Sequence, residues 1–198
     1  MEAHVRKLQQ KFKKVREEMD RWGELQLRLV SQFRNASSIM DRLQVIRDGK
    51  NYGALKSVGG IGEAVWTKQV ESLETILLSM RKTMEEFHGV VMSLEKIHRD
   101  GKQLVKGGSG QPSVKYLQQR VGVKPSLQDC LDGLMILYEM HRSEYFLKSS
   151  VVSALSTLVL KPSASDLHAL QQLLVDQPNI SKEEVQFIYD IMFAEEIC

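Results

Sequence analysis

Val5, Leu8, Phe12, Val15, Met19 and Trp22, then Leu29, Phe33, Ala36, Met40 and Leu43, follow one another at alternating steps of three and four, a rhythm broken only at Gln26. Such spacing holds apolar side chains on one side of an α-helix. Sustained over more than five heptads, with Lys, Arg, Glu and Gln filling the other positions, it predicts one helix over residues 3–48. At about 1.5 Å per residue that helix reaches roughly 65–70 Å, well beyond a typical globular helix. Gly23 weakens it locally by up to about 1 kcal/mol.

A second seam is unbroken: Val70, Leu73, Leu77, Met80, Met84, Phe87, Val91, Leu94. It predicts a helix over 63–105, beginning after the glycine-rich Gly59-Gly60-Ile61-Gly62. Two long helices joined by a short connector form an antiparallel hairpin. A hairpin alone leaves its seam uncovered, so a third helix is required. Residues 107–125 carry Gly, Ser and Pro at both ends and read as a connector, with a short helical turn near Tyr116. Pro125, Ser126 as N-cap and Asp129 three residues on open the third helix, 126–160. Its inner stripe is read as Leu127, Leu131, Leu134, Tyr138, His141, Tyr145, Val152 and Leu155, and it stops before Pro162. Ser165 caps a short helix with Leu167, Leu170, Leu173 and Leu174, ended by Pro178. Ser181-Lys-Glu-Glu184 is a capping box for a last helix carrying Val185, Ile188 and Met192. The expected fold is all-α: an elongated antiparallel bundle of three long helices, a coiled-coil-like hairpin plus a third helix, spanning 1–160. Two short C-terminal helices, within 161–198, pack on it.

With 198 residues and 42% hydrophobic content the chain can bury a core. Cys130 and Cys198 have neither CxxC nor His-flanked spacing, which suits a reducing compartment and offers no metal site. A densely charged start and no apolar run near eighteen residues lead us to expect neither signal peptide nor membrane span, hence an intracellular soluble protein. Net charge is only +2 but unevenly placed. Arg6, Lys7, Lys11, Lys13, Lys14 and Arg16 crowd the first sixteen residues, whereas the acids concentrate after residue 175. That basic start reads either as a solvated helix face or as a contact for RNA or an acidic partner.

Catalytic motifs are scarce. KIHRDGK, residues 96–102, spells part of a protein-kinase catalytic loop, but Val105 stands where the metal-binding Asn belongs, and neither a DFG nor a Gly-rich loop accompanies it. RDGK occurs again at 47–50, in both places after an apolar run. Arg47 and Arg99 suit the negative end of a helix dipole, and Gly49 and Gly101 a left-handed C-terminal residue, so the letters read as helix-ending chemistry, with Asp100 near a helix end, the second copy only loosening its helix if the chain continues helically through Val105. Gly60-Ile61-Gly62 lacks the third glycine and the strand of a dinucleotide loop. The histidines, at 4, 88, 98, 141 and 168, show no HExxH pairing, and His141 falls on an apolar stripe where a satisfied core histidine is expected. Glu17-Glu18, Glu85-Glu86 and Glu183-Glu184 are adjacent and so diverge on a helix. Neither enzyme activity nor a cofactor is expected. Met80, Met84, Met135 and Met140 read as core, with an adaptable binding groove as the other option. Ser or Thr with an acid three residues on marks Ser38, Thr83, Ser126, Ser163 and Ser181, of which Ser163 and Ser181 are taken as candidate phosphorylation sites.

The stretch from Pro125 to Leu155 resembles a Pro-Ser-hydrophobic-x-Asp-x-Leu opening followed by an Arg-x-x-Tyr pair, here Arg142 and Tyr145, and a Leu-Leu-Ser-like ending, here Val151-Val152-Ser153. Ile180-Ser181-Lys182-Glu183-Glu184-x-Gln186 is similar to the last helix of the same family. That family is the small helical ribosome maturation factors catalogued as casein kinase II substrates, which associate with a AAA ATPase. Its sister, the cyclin-dependent kinase two-interacting protein, has the same helical plan and is its usual partner. Trp22 and the helix leading to Lys102 fall where members have comparable features. Members carry more Lys and Arg after the Arg-x-x-Tyr pair, whereas here only Lys148 precedes Ser149 and Ser150.

The resemblance implies a non-enzymatic adaptor of the nucleus, nucleolus and cytoplasm. It would pair with a similar helical partner and a AAA ATPase on large-subunit ribosome precursors, with Trp22, Arg142, Tyr145 and Lys148 as partner-binding residues and no membrane contact. The rival reading is a structural coiled-coil subunit of a cytoskeletal, kinetochore or tethering complex.

Overall fold

A computed structural model describes residues 2–106, 113–120, 122–158 and 163–194. The order of elements is α1 (Glu2–Arg47), a 3-10 segment (Gly49–Ser57), α2 (Ile61–Lys106), α3 (Val114–Gln118), α4 (Leu127–Leu158), α5 (Ala164–Asp176) and α6 (Lys182–Met192). No strand occurs among the described residues. Residues 107–112 of the connector, the expected end of the third helix at Leu160 and Pro162, Cys198 and the Arg47 side chain lie outside what is described.

The first seam is the core stripe of α1. Val5, Leu8, Phe12, Val15, Trp22, Leu29, Phe33, Ala36, Met40 and Leu43 are all buried, with Leu25 and Ile39 widening the stripe. Gln26, where the rhythm breaks, is buried as well. The turn between α1 and α2 is made by glycine: Gly53 and Gly60 take φ of 49° and 76°, a left-handed region that costs other residues about 1 kcal/mol or more.

Two compact units divide the chain. The first, unit 1, comprises residues 1–23, 87–146 and 178–198. Here α1 and α2 run antiparallel, as Ser93 Oγ donating to Glu18 Oε1 at 2.5 Å and Lys11 lying 3.7 Å from Asp100 show. The α4 segment runs beside α1 in the same direction, since Gly133 meets Phe12 and Trp22 meets His141. Helix α6 closes the unit: the Tyr189 hydroxyl donates to the Phe12 carbonyl at 3.2 Å, and Gln9 Nε2 donates to the Met192 carbonyl at 2.8 Å. Cys130 is enclosed in this core, and burial pushes its thiol pKa up to about 12.

Unit 2 comprises residues 24–86 and 147–177. Its hairpin is again antiparallel: Arg28 Nη1 meets Glu86 Oε1 at 2.6 Å, and Gln32 Nε2 donates to Ser79 Oγ at 2.8 Å.

Helix starts follow their caps. Ser126 Oγ accepts from the Asp129 N–H at 3.1 Å while Asp129 Oδ2 accepts from the Ser126 N–H at 2.9 Å, a reciprocal capping box. Burial alone would raise the Asp129 pKa; the Ser126 hydrogen bonds and the Arg120 guanidinium outweigh it and hold the carboxyl below the usual range. Ser113, Ser163 and Ser181 cap α3, α5 and α6. Pro178 is preceded by Gln177 in the left-handed conformation, which ends α5 at Asp176.

Three readings are corrected. The cap of α5 is Ser163, whose hydroxyl accepts from the Asp166 N–H, and not Ser165. The helix-ending reading of the second RDGK does not hold: α2 runs through it to Lys106, in keeping with the 63–105 span, with Asp100 half-buried beside Lys11 and Val105 in the core. Gly101 is therefore no helix terminator but a site of close packing, where an added Cβ would stand 2.9 Å from Leu134 Cδ1. The buried stripe of α4 is Leu127, Cys130, Leu134, Leu137, His141, Glu144, Lys148, Val151, Val152 and Leu155, with Leu131, Tyr138 and Tyr145 on its flank. At the first RDGK, α1 does end at Arg47, and the Asp48 carboxylate accepts from the Lys50 N–H at 3.0 Å.

Candidate interaction surface

With Leu134, Leu137, His141 and Glu144 facing inward, the flank of α4 that leaves the core carries Met135, Tyr138, Arg142, Tyr145 and Phe146. On α2 the inward set is Val90, Val91, Leu94, Ile97 and Gly101, which turns His88, Met92 and Arg99 outward. Within unit 1 these two flanks meet along a groove. His88 lies 5.5 Å from the Tyr145 ring, Tyr145 lies 5.6 Å from Phe146, and the Arg142 guanidinium carbon sits 5.6 Å from the Phe146 centroid. About two turns of α4 away, His98 stacks on Tyr138 at 6.1 Å. Phe146 and Met92 are 55% and 49% exposed. Their apolar surface, with Met135, makes this face a ladder of rings and thioethers that repacks readily against another apolar surface.

Beside His98 lies a cleft of about 420 Å³ lined by apolar Val105, Leu117, Leu131 and Met135 together with polar His98, Lys102, Lys106, Gln128 and Asp132. Helix α3 forms one wall. The Tyr116 hydroxyl lies 3.4 Å from His4 Nδ1, and Lys124, just past α3, is ion-paired to Glu2. Burial, and next the Lys102 charge, hold the His98 pKa below its usual value, so its imidazole is neutral near pH 7. Burial raises the Tyr138 pKa.

The four residues expected to bind a partner separate. Arg142 and Tyr145 belong to the groove. Trp22 is 3% exposed, edge-on to Phe87 at 4.5 Å and to His141 at 4.9 Å, inside unit 1. His141, whose Nδ1–H donates to the Leu137 carbonyl at 2.7 Å, is a satisfied core histidine. Lys148 is wholly buried in unit 2, where Nζ donates to Gln26 Oε1 at 2.7 Å and Gln26 Nε2 donates to the Leu174 carbonyl at 2.6 Å. These two side chains are buried and hold helices together within their own units.

Nor do the basic residues of α1 converge. Arg6 pairs with Glu2 at 3.2 Å and Lys11 with Asp100. Arg16 lies over the Tyr189 ring at 4.6 Å and, with Lys13, lines a recess shared with Glu17, Asp20 and Asp190. Lys7 and Lys14 are exposed on another side. Acids thus accompany Arg6, Lys11, Lys13 and Arg16, which breaks up the positive charge on that part of the helix. The Ser163 and Ser181 hydroxyls accept from the Asp166 and Glu184 N–H groups, and Ser181 also donates to Glu183 at 3.2 Å.

The sequence reading passed over Glu144, which is wholly buried and accepts from both the Asn179 N–H and its side-chain amide at 3.1 Å, fastening the α5–α6 connection to α4. A strict three-four register counted from Leu127 lands on Glu144 and Lys148, and that was the available signal. Among the described residues no group of acids, His or Cys could hold a metal ion, and no helix is long and apolar enough to cross a membrane.

No curated protein matches the chain in a sequence comparison. A family model does, over residues 2–197, and its description is ribosome biogenesis protein C1orf109-like. By that match along nearly its whole length, the chain belongs to the CA109-like family of ribosome biogenesis proteins.

Proposed function

We propose that the protein is a non-enzymatic helical adaptor in ribosome biogenesis. It presents the α2–α4 groove of unit 1 to a similarly helical partner and, through that pair, engages a AAA ATPase acting on large-subunit precursors. The observation that carries this reading is the exposed ladder of His88, Tyr145, Phe146 and Arg142, continued by Met92. Exposed aromatics joined to an Arg are the composition of interface centres. Family membership supplies the process and supports nuclear or nucleolar residence; passage through the cytoplasm is part of the same proposal. The finer assignment to the casein kinase II substrate proteins, and not to their sister, rests on the Ser-Lys-Glu-Glu segment at 181–184. Ser163 and Ser181 are kept as phosphorylation candidates, each at a helix start followed by acids. Lys7 and Lys14 are the basic residues best exposed for RNA or an acidic partner.

Purification of the tagged protein from its own cells tests this. Recovery of a AAA ATPase with pre-ribosomal proteins, reduced at least about tenfold by the double substitution Arg142→Ala, Phe146→Ala at unchanged helicity, is the expected result. Recovery of tubulin or membrane tethers without an ATPase sinks the proposal.

A further inference from the structure

Helix α6 carries an exposed aromatic that its own fold does not use. Ile188, Tyr189 and Met192 face the core of unit 1, while Phe187 is 63% exposed on the other side. Carboxylates flank it at helical spacing: Glu183 four residues before, Glu184 three before, Asp190 three after. A large apolar knob ringed by negative charge calls for an apolar socket with a positive rim. The cleft between α2, α3 and α4 has that character: Val105, Leu117, Leu131 and Met135 line it, and so do the solvent-exposed Lys102 and Lys106, one turn apart. Neither lysine holds an ion pair among the described residues, and both are exposed. The one acid there, Asp132, accepts from Gln128 Nε2 at 2.8 Å. A volume of about 420 Å³ falls within the usual range of binding clefts, about 300–1,000 Å³.

The knob does not reach the socket of its own molecule. Ile188 packs on Gly133, and at about 100° per residue Gly133 lies about 200° round α4 from Leu131 and Met135, which line the cleft. Helix α6 and the cleft therefore lie on different sides of α4. We propose that a second copy of this chain supplies the occupant: Phe187 of one molecule enters the α2–α3–α4 cleft of the next, with Glu183, Glu184 and Asp190 facing Lys102 and Lys106. The contact joins two different surfaces, so it is head-to-tail and each molecule retains one free knob and one free socket.

Sedimentation equilibrium of the full chain tests this between about 10 µM and about 1 mM, the range of a contact this small. Wild type gains weight-average mass with concentration, and less so as salt is raised. Phe187→Ser, without a knob, and the double variant Lys102→Glu, Lys106→Glu, without a socket, each lose self-association at least about tenfold at unchanged helicity. Mixed, they form a one-to-one pair and nothing larger, because one intact knob meets one intact socket. A wild type that stays monomeric throughout overturns the proposal, as does a Phe187→Ser variant that associates like wild type, or a mixture no heavier than its components.

Discussion

Lys148 Nζ donates to Gln26 Oε1 at 2.7 Å, both side chains buried, and Gln26 passes the bond on to the Leu174 carbonyl. An ammonium taken out of water is tolerated only where its hydrogen-bonding capacity is met, and the same interaction explains why the α1 seam breaks at Gln26. The break in the heptad is the place where α1, α4 and α5 of unit 2 are held in register.

Truncating one member should therefore cost more than replacing both. Lys148→Ala leaves Gln26 Oε1 without its donor and opens space in the core, and is expected to destabilise by about 3 kcal/mol in urea unfolding followed by circular dichroism. The double variant Gln26→Leu, Lys148→Met should lose less than Lys148→Ala alone. Equal or greater loss in the double variant would show that the polar pair is worth more than its desolvation.

Glycines within α2 should respond with opposite signs. Nothing lies within 4 Å of a Cβ added at Gly89, so Gly89→Ala should stabilise by up to about 1 kcal/mol through helix propensity. At Gly101 the new methyl meets Leu134 Cδ1 at 2.9 Å and Leu8 Cδ2 at 3.4 Å, both in the packed core. Overpacking of about 1–3 kcal/mol outweighs the propensity gain there, and Gly101→Ala should be net destabilising by about 1 kcal/mol. Thermal melts of the two variants give the comparison.

The start of α4 predicts a pH dependence. The Asp129 pKa is depressed in the folded state below its ordinary 3.8. A depressed carboxyl contributes stability that is complete above its unfolded pKa and is lost as pH falls through the folded one. Asp129→Asn should cost about 1 kcal/mol at neutral pH, as a lost cap does. The gap from wild type should close as pH drops below about 3.8, and a gap unchanged at pH 2 would assign the loss to packing.

Helix number, helix type and most boundaries were legible because a three-four rhythm is a direct record of which side of a helix is buried, and because Ser126 and Ser181 announce their helices with an acid three residues on. The α4 flank was harder. Its apolar residues surround much of the helix, so periodicity alone could not tell Leu131, Tyr138 and Tyr145 from the true stripe, and the charged Glu144 and Lys148 argued against the positions they occupy. Gly101 looked like punctuation because a sequence shows no neighbours; Leu134 and Leu8, distant in the chain, make it a packing residue. The groove was half legible, since Arg142 and Tyr145 were found by resemblance but His88 and Phe146 join them only through the fold.

The separation of Trp22 from Arg142 gives the last prediction. Trp22 fills the space between Phe87 and His141, so Trp22→Ala removes a large buried ring and is expected to cost about 3–5 kcal/mol. Arg142 is exposed, linked to Glu139 at 3.3 Å and to the Phe146 face, contacts that solvent screens. Arg142→Ala should change stability by no more than about 0.5 kcal/mol. Partner capture should respond differently: Arg142→Ala lowers it at full helicity, whereas Trp22→Ala lowers it only in proportion to the folded fraction measured by urea titration. If Trp22→Ala abolished capture under conditions where the chain remained folded, Trp22 would have to reach a partner after all, against its burial in unit 1.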